Sequence, residues 1–386
     1  AGWFYNNADV YDKLPDDIPY KIYVGEYAAI GRPSLYSSLA EAAYLTGVER
    51  NADKVQMVSY APLIENAAHG KDHLLVLKND SVYGRTNYYV LKMFSENRPD
   101  VNLHTDLKPA SPEPVFRTNG FIGLGTNNTE AQFKDLKVIV NGEEIYTSGW
   151  SDFVDKWTII RGDWKTEGSL LSQSQKGIDA LAILEDREFD NCTIELKAKK
   201  ISGTEGFRIV FGGTDSNNYF MADIGSHTNE SVIFREVNNE GSISLFDYRN
   251  TASIKTDQWY TVRIEIEGAH WKCFLNDELQ YEYTYAPKKK HYVVSGYDRE
   301  RKEVIVKLVN AEAGNWKVRL QLDKAKNLAS KGTKIVLGAD DRFDENSFSD
   351  PLKIVPKVTE LSGISNEFTI DCQANSLTVL RIPCEK

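Results

Sequence analysis

Cysteine is scarce in this sequence, with four residues among 386, and the four are far apart. They are Cys192, Cys273, Cys372 and Cys384, and no two of them form a C-x-x-C pair. This spacing argues against zinc and dithiol redox sites, because both need closely spaced ligands. We expect four buried thiols, and a disulfide stays open as an alternative if the protein is exported.

Positive charge and long apolar runs are also in short supply. The chain has 46 Lys and Arg against 56 Asp and Glu, a formal net charge of −10, and its longest basic run is Lys288–Lys290. We therefore expect no nucleic-acid partner, since such partners need a concentrated positive surface. No apolar run approaches the roughly 20 residues of a membrane-spanning helix, so no membrane partner is expected either.

The first seven residues, AGWFYNN, lack the basic start and apolar core of a signal peptide. They begin in the middle of an aromatic pattern without a helix cap. We therefore expect the chain to begin inside a larger protein, which would carry any export signal.

A carboxylate ends the first apolar stretch of the chain. Ile22, Tyr23 and Val24 form a continuous apolar run before Gly25 and Glu26, a pattern typical of a parallel strand that is covered on both faces. Catalytic groups of parallel barrels lie at the carboxyl ends of such strands. Glu26 is therefore the first candidate for a functional side chain, although an ordinary strand-end glutamate has the same local pattern.

The residues after Glu26 predict a β-α-β unit. Ser34 can cap a helix over 35–46 that Gly47 would end, and 55–63 predicts a second buried strand. A second helix is predicted over 86–97. The prolines between 99 and 114 then indicate a linker.

From residue 115 onward the pattern is that of short strands separated by turn residues, which predicts β-sandwiches. Asn141-Gly142 and Asn276-Asp277 are typical hairpin turns. The predicted strands are 137–140, 193–198, 207–211, 231–234, 259–266, 271–275, 291–295, 303–309, 316–322 and 376–382.

Three further groups of side chains could form sites. His69 and His73 lie in a polar, Gly-containing stretch and are better interpreted as solvated than as metal ligands. The acidic group Asp340, Asp341, Asp344 and Glu345 lacks calcium-loop spacing and predicts a solvated turn, with calcium as the alternative. Six aromatic residues could be sugar platforms, but we expect most in the core: Trp150, Trp157, Trp164, Tyr219, Trp259 and Trp271. The sequence predicts no cofactor.

Several motifs in the same order resemble the α-L-arabinofuranosidases of glycoside hydrolase family 51. In the first hundred residues the motifs are WFY at 3–5, VGEYA at 24–28, LAEAAYLTG at 39–47, ERN at 49–51, VSYAPL at 58–63, VYGRTNYYV at 82–90 and MFS at 93–95. Near the C-terminus they are IVKLVN at 305–310, ENSF at 345–348, Pro351, VP at 355–356 and SLTVLR at 376–381. The resemblance implies the late strands of a (β/α)8 barrel and the C-terminal β-sandwich of that family.

The middle of the chain resembles a different class, the laminin-G or concanavalin-like carbohydrate-binding jelly rolls. The similar stretches are GLGTNNTEAQFKDLKV at 123–138, GDW at 162–164 and GTEGF at 203–207. The expected fold is thus an α+β multidomain chain with a partial (β/α) barrel and two all-β parts. We divide it into barrel residues 1–100, a linker or first sandwich strand at 101–114, an inserted jelly roll at 115–286 and a C-terminal sandwich at 287–386.

The resemblance assigns Glu26 as the nucleophile of a retaining glycosidase. The acid/base of that family lies in an Asn-Glu-Pro motif, which this chain lacks, so we expect the acid/base not to come from this chain. The implied enzyme removes non-reducing-end arabinofuranosyl groups from arabinan- or arabinoxylan-type polysaccharides, and the full-length protein is expected to be secreted or periplasmic. The alternatives are a non-catalytic carbohydrate-binding fragment and a purely structural β assembly.

A partial barrel also has consequences for partners. We expect an uncovered apolar face around Ile22, Val24, Val55 and Val58, which self-association or a missing N-terminal part of the barrel would cover. The other expected partner is an arabinose-containing oligo- or polysaccharide of the plant wall. This chain alone is expected to be inactive.

Overall fold

The structure of the chain is a computed structural model that describes residues 2–29, 33–69, 74–109, 115–238, 241–245, 252–323 and 325–384, apart from the side chains of residues 69, 185 and 186. The chain divides into two units, and each is described separately. The first unit combines Ala1–Pro112 with Lys288–Lys386, and the second is Glu113–Pro287.

The N-terminal part of the first unit contains the predicted β-α-β unit. Strands β1 and β2 pair in parallel, and helix α2 lies between them in the sequence, which confirms the prediction. In this part the elements are α1 Gly2–Asn6, β1 Ile22–Tyr27, α2 Leu35–Arg50, β2 Val55–Tyr60, β3 Ile64–Asn66, β4 Leu75–Lys78, β5 Ser81–Gly84, α3 Thr86–Glu96 and β6 Val101–Leu103, with 3-10 turns at Val10–Lys13 and Ala67–His69.

Helix α2 begins where the sequence predicts and ends later. Ser34 caps it in a reciprocal capping box with Ser37. The prediction that Gly47 ends the helix is wrong, because the helix continues to Arg50. Gly47 serves packing instead, since a Cβ at this position would lie 1.9 Å from the carbonyl oxygen of Ala8.

The strand pair is open on one side, so the prediction that both faces are covered is wrong. Tyr23 and Met57 are paired in register and each is 56% exposed. Val24 and Val58 pack instead against the apolar cluster that contains α2. The open face is therefore the one that carries Tyr23 and Met57, not the one we expected around Ile22, Val24, Val55 and Val58.

The second unit is a sandwich of a seven-stranded and an eight-stranded sheet. Its elements are β7 Asn119–Asn127, β8 Thr129–Val140, β9 Glu143–Ser148, α4 Phe153–Lys156, β10 Trp157–Arg161, β11 Trp164–Glu167, β12 Leu170–Gln173, β13 Asp179–Asp190, β14 Cys192–Gly203, β15 Phe207–Asp215, β16 Asn218–Gly225, β17 Ser231–Asn238, β18 Gly241–Leu245, β19 Trp259–Glu267, β20 His270–Leu275 and β21 Glu278–Thr284. The strand orders are β10-β13-β7-β15-β16-β17-β18 and β11-β12-β8-β14-β19-β20-β21, with β9 paired to β8.

Alternating side chains of both sheets fill the core of this sandwich, as the strand patterns predict. Both predicted hairpin turns are present, and Asn141, Gly142, Asn276 and Asp277 all have positive φ. Five of the six candidate aromatic platforms are buried, namely Trp150, Trp157, Trp164, Tyr219 and Trp271. Trp259 is partly exposed.

The C-terminal part of the first unit is the predicted second sandwich. Its strands are β22 His291–Asp298, β23 Glu303–Asn310, β24 Trp316–Gln321, β25 Lys331–Gly338, β26 Lys357–Ser362, β27 Glu367–Cys372 and β28 Ser376–Pro383. They form a sheet in the order β26-β25-β28-β23-β22-β6 and a β24-β27 pair. β6, which precedes the second unit in the sequence, thus pairs with β22.

The C-terminal sheet holds α2 in place. Ile305 and Val379 of the sheet belong to one apolar cluster with Leu39 of α2. Lys307 is fully buried, pairs with Glu49 of α2 and lies 4.9 Å from the Phe94 ring centroid. Burial lowers the pKa of Lys307, although Glu49 opposes the shift. The elements behind β1 are therefore fixed by the sandwich as well as by the β-α-β unit itself.

All four cysteines are buried and free, as expected. No helix in the described ranges combines the length and apolar character needed to cross a membrane.

Candidate active site

Glu26 lies near the carboxyl end of β1, where the pairing with β2 becomes irregular. The register runs from Val24 opposite Val58 to Tyr27 opposite Tyr60, so β1 has one extra residue over this step. Such a bulge changes the direction in which a side chain points. Glu26 is exposed, and no hydrogen bond or ion pair to its carboxylate is formed by the described residues. The local structure thus presents a carboxylate that is accessible to a ligand.

Glu41 on α2 is the buried carboxylate behind this strand end. Its side chain is 1% exposed. Its Oε1 atom accepts hydrogen bonds from the Ala29 amide at 2.6 Å and from the Tyr60 hydroxyl at 3.2 Å. One carboxylate therefore joins the segment after Glu26 to the end of β2.

Burial determines the titration of Glu41. It raises the pKa of Glu41 to about 7, although hydrogen bonds from Asn87, Ala29 and Tyr60 act in the opposite direction. Asn87 is itself held on α3, where its Oδ1 accepts a hydrogen bond from Ser38 Oγ at 2.9 Å. The result is a buried network of neutral donors around one carboxyl group.

Aromatic rings surround the same strand ends. The Tyr27 ring packs edge-on against Tyr60 with centroids 5.2 Å apart, and Phe4 and Tyr44 pack against Tyr27 at 6.2 and 5.9 Å. The Tyr27 hydroxyl is buried and has no hydrogen-bond partner among the described residues. Burial, with Glu41 nearby, raises the pKa of Tyr27 above its ordinary value. This packing restricts the backbone directly after Glu26.

The acidic group near the C-terminus is not simply a solvated turn. Glu345 is partly buried, and its carboxylate accepts hydrogen bonds from the Thr86 amide at 2.8 Å and the Thr86 hydroxyl at 2.9 Å. It thereby caps the first turn of α3, where a negative charge is favourable. The prediction is therefore wrong for Glu345, while Asp340 and Asp341 are exposed as expected.

No metal centre is formed by the described residues, since they contain no group of three His, Cys, Asp or Glu that could hold an ion. His73 and the side chain of His69 lie outside the described residues. Chemically, the strand end offers one accessible carboxylate, Glu26. Glu41 is committed to Ala29 and Tyr60 and does not provide an exposed second carboxylate.

Glu26 is predicted from the sequence, whereas the roles of Glu41, Tyr27 and Tyr60 are not. A signal for Glu41 was present, because it is a lone carboxylate in a helix segment of Leu and Ala that is buried almost all round. The tyrosines had no such signal, since aromatic residues at strand ends are usual in any core.

A parallel β-α-β unit with a carboxylate at a strand end and an attached β-sandwich defines the class of chains that join a segment of parallel-barrel type to a C-terminal sandwich. The chain belongs to the family described as the alpha-L-arabinofuranosidase C-terminal domain, whose model matches residues 25–376.

The curated relatives that the chain matches are named as arabinofuranosidases. The chain is 28% identical over 386 residues to the extracellular exo-alpha-L-arabinofuranosidase of Streptomyces chartreusis, covering 98% of this chain and 46% of that protein. It is 31% identical over 183 residues to alpha-L-arabinofuranosidase 1 of Arabidopsis thaliana, covering 44% of this chain and 27% of that protein. The chain thus spans about half of the first relative's length and less of the second's.

Solved structures align along nearly the whole chain. The arabinose-bound α-L-arabinofuranosidase MgGH51 aligns with 99% of this chain and 35% of its own, at 16% identity and a TM-score of 0.48. The thermostable family 51 enzyme of Thermotoga petrophila RKU-1 aligns with 98% of this chain and 47% of its own, at 9% identity and a TM-score of 0.42.

Proposed function

We propose that this chain is the C-terminal part of a retaining α-L-arabinofuranosidase in which Glu26 is the nucleophile. The observation that carries the proposal is the accessible Glu26 carboxylate at the bulged carboxyl end of β1, in a chain of this family. The substrates would be arabinan- and arabinoxylan-type polysaccharides of the plant wall, from which non-reducing-end arabinofuranosyl groups are removed. Membership of the family and the names of the relatives support this choice.

The reaction would be a double displacement. The Glu26 carboxylate attacks the anomeric carbon and forms a glycosyl ester, while an acid protonates the departing oxygen. Water then attacks the same carbon, gives its proton to the deprotonated acid/base and releases the Glu26 carboxylate. The two carboxyl groups of a retaining enzyme are about 5–5.5 Å apart.

We propose that the acid/base comes from outside this chain. Glu41 lies nearby but is buried and hydrogen-bonded to Ala29 and Tyr60, and the sequence contains no Asn-Glu-Pro motif. This chain alone should therefore not hydrolyse an aryl α-L-arabinofuranoside. The remaining part of a barrel, or self-association, would cover the face with Tyr23 and Met57. The full-length protein is proposed to be secreted or periplasmic, as the name of its Streptomyces relative suggests.

The test is Glu26→Ala in the full-length protein. Turnover should fall by several orders of magnitude because the covalent path is lost, and azide should restore part of it with inversion at the anomeric carbon. Glu96→Ala, an exposed glutamate at the end of α3, is the matched control and should keep normal turnover. Near-normal turnover of Glu26→Ala would refute the assignment. Turnover by this chain alone, as a monomer, would refute the external acid/base.

We further propose that residues 115–286 fold independently as a carbohydrate-binding jelly roll. Support comes from the division of the chain at Glu113–Pro287 and from the separate core of that unit. Expressed alone, the segment should melt cooperatively and give a β-type circular dichroism spectrum. An unfolded product would contradict the proposal.

A further inference from the structure

The outer face of the seven-stranded sheet in the second unit contains an open depression of about 700 Å³. Residues of β7, β10, β13, β15, β16, β17 and β18 line it together with neighbouring loop residues. Most of the lining side chains are polar or charged, whereas the opposite face of the same sheet is the apolar core of the sandwich. Ligand sites are concave and place a few polar groups that fix the orientation of the ligand.

The charges at this depression compensate one another. Three arginines and three carboxylates meet there: Arg161, Arg208, Arg235, Asp179, Glu205 and Asp223. Every one of the arginines contacts a carboxylate. Arg208 bonds Asp223 at 3.1 Å and also contacts Asp179, Arg235 bonds Asp223 at 2.5 Å, and Arg161 lies 3.7 Å from Asp179. No described arginine of the depression therefore carries an uncompensated charge that would select an anion.

The register of the sheet positions this network of arginines and carboxylates. Arg208 on β15 is paired in register with Gly125 on β7, and Gly125 is paired with Leu181 on β13. Because Gly125 has no side chain, the guanidinium can extend across β7 to Asp179 on β13. Asp223 is almost fully buried, and although burial opposes its charge, Arg208 and Arg235 lower its pKa. The polar groups are thus held in place before any ligand arrives, which reduces the entropy cost of binding.

Apolar surface lies beside these groups. Tyr219 on β16 is paired with Val237 on β17, and both line the depression together with Met221. Tyr219 and Met221 are almost fully buried, so the partly exposed Val237 supplies the apolar surface. A sugar has the matching combination of surfaces, because its hydroxyl groups project from the rim of the ring and its C–H bonds form an apolar face.

Resting on the carbohydrate-binding role proposed above for residues 115–286, we propose that this depression binds a neutral saccharide. A hydroxyl group both donates and accepts hydrogen bonds, so it can bridge guanidinium N–H groups and carboxylate oxygens that lie side by side. Hydrogen bonds to charged partners are stronger than those between neutral groups. An anionic ligand gains little where every arginine already has a carboxylate, and an apolar ligand would leave the polar lining desolvated.

The opposite sheet offers a matched comparison. Trp259 is the partly exposed aromatic residue of β19, and Lys134 and Lys199 lie 4.4 and 5.0 Å from its ring centroid. Two lysines lie over this ring, and Trp259 does not line the depression of the seven-stranded sheet. Trp259 is therefore a suitable control for sugar binding through an exposed ring alone.

The experiment is isothermal titration of this full chain with linear xylo-oligosaccharide, arabino-oligosaccharide and oligogalacturonate. At least one of the two neutral oligosaccharides should bind with a Kd of about 0.1–1 mM, and oligogalacturonate should bind more weakly. The double variant Arg161→Ala/Asn217→Ala removes two side chains at the accessible edge, and we expect it to weaken binding about tenfold or more. Trp259→Ala should change the affinity by about twofold or less.

Three results would overturn the proposal. These are the absence of binding by both neutral oligosaccharides at about 10 mM, stronger and salt-sensitive binding of oligogalacturonate, and loss of binding in Trp259→Ala but not in the double variant. The titration is repeated with Glu26→Ala. Because the depression and Glu26 belong to different units, the result does not depend on the proposed nucleophile.

Discussion

The two units bury carboxylates in opposite ways. In the first unit Glu41 is surrounded by neutral donors, and burial raises its pKa to about 7. In the second unit Asp223 is equally buried, but Arg208 and Arg235 lower its pKa below the ordinary value. Burying a charge is costly unless it is paired, so a carboxyl group either takes up a proton or acquires a cation.

This difference matches the tasks that we propose for the two regions. Beside Glu26 a cationic network would compete for the nucleophile, whereas a neutral donor network fixes the backbone and leaves the Glu26 carboxylate accessible. On the sheet face of the second unit, paired charges provide many donors and acceptors without net charge. The environment of a buried carboxylate, more than its burial, therefore indicates what the neighbouring surface can bind.

The largest expected effect comes from breaking the ion pairs of the second unit. Arg208→Met leaves Asp223 with Arg235 alone and Asp179 with the more distant Arg161, and we expect a loss of about 3 kcal/mol in the unfolding free energy of this unit. Hydrogen exchange of the β15–β17 amides measures the local loss. Lys197→Met, which removes an exposed pair with Asp135 on the other sheet, should cost less than about 1 kcal/mol. Equal losses in the two variants would contradict a special role for the buried network.

A second prediction concerns pH. The pKa of Glu41 is raised from the ordinary value of 4.5, so its contribution to the stability of the first unit is fully present below pH 4.5 and is lost as pH rises to about 7. This amounts to about 3 kcal/mol between pH 4.5 and 7. Asp223, whose pKa is lowered, behaves in the opposite sense, because its contribution is lost as pH falls below the ordinary aspartate range.

The variant Glu41→Gln distinguishes the pH dependence that Glu41 contributes from the one that Asp223 contributes. Glutamine keeps an acceptor for the Ala29 amide but does not ionise, so the decline in stability of the first unit between pH 5 and pH 8 should largely disappear. Urea unfolding, with hydrogen exchange of α2 as the local probe, measures the change. Glu96→Gln, at an exposed glutamate, should keep the wild-type pH dependence. A Glu41→Gln variant with the wild-type slope would mean that another group causes the decline.

Much of the fold could be predicted from the sequence because its signals are local. Alternation of apolar residues predicts the strands of both sandwiches, and Ser34 predicts the start of α2 from its own side chain. The end of α2 could not be predicted in this way. Gly47 is a local stop signal, but its role is set by the Ala8 carbonyl, which is distant in sequence.

The functional regions were predicted less completely for the same reason. Glu26 is indicated by its place at a strand end and by the family motif around it. The depression of the second unit has no motif, because its side chains come from seven strands that become neighbours only in the folded sheet. Glu345 was misinterpreted because its partner Thr86 is 259 residues away in the sequence.

Glu345 also gives the smallest predicted effect, since it is an intermediate case between Glu41 and Asp223. Burial raises its pKa, whereas the two hydrogen bonds that it accepts from Thr86 at the first turn of α3 and the charge of Arg85 act in the opposite direction. Glu345→Ala should lower the unfolding free energy of the first unit by about 1 kcal/mol, the usual cost of losing a helix cap. Exposed Asp340 of the same loop supplies the control Asp340→Ala, which should have almost no effect. The amide of Thr86 should exchange faster in Glu345→Ala, and Glu345→Gln, which keeps an acceptor, should restore part of the protection. Exchange of the Thr86 amide at the wild-type rate in Glu345→Ala would contradict the role of Glu345 as the cap of α3.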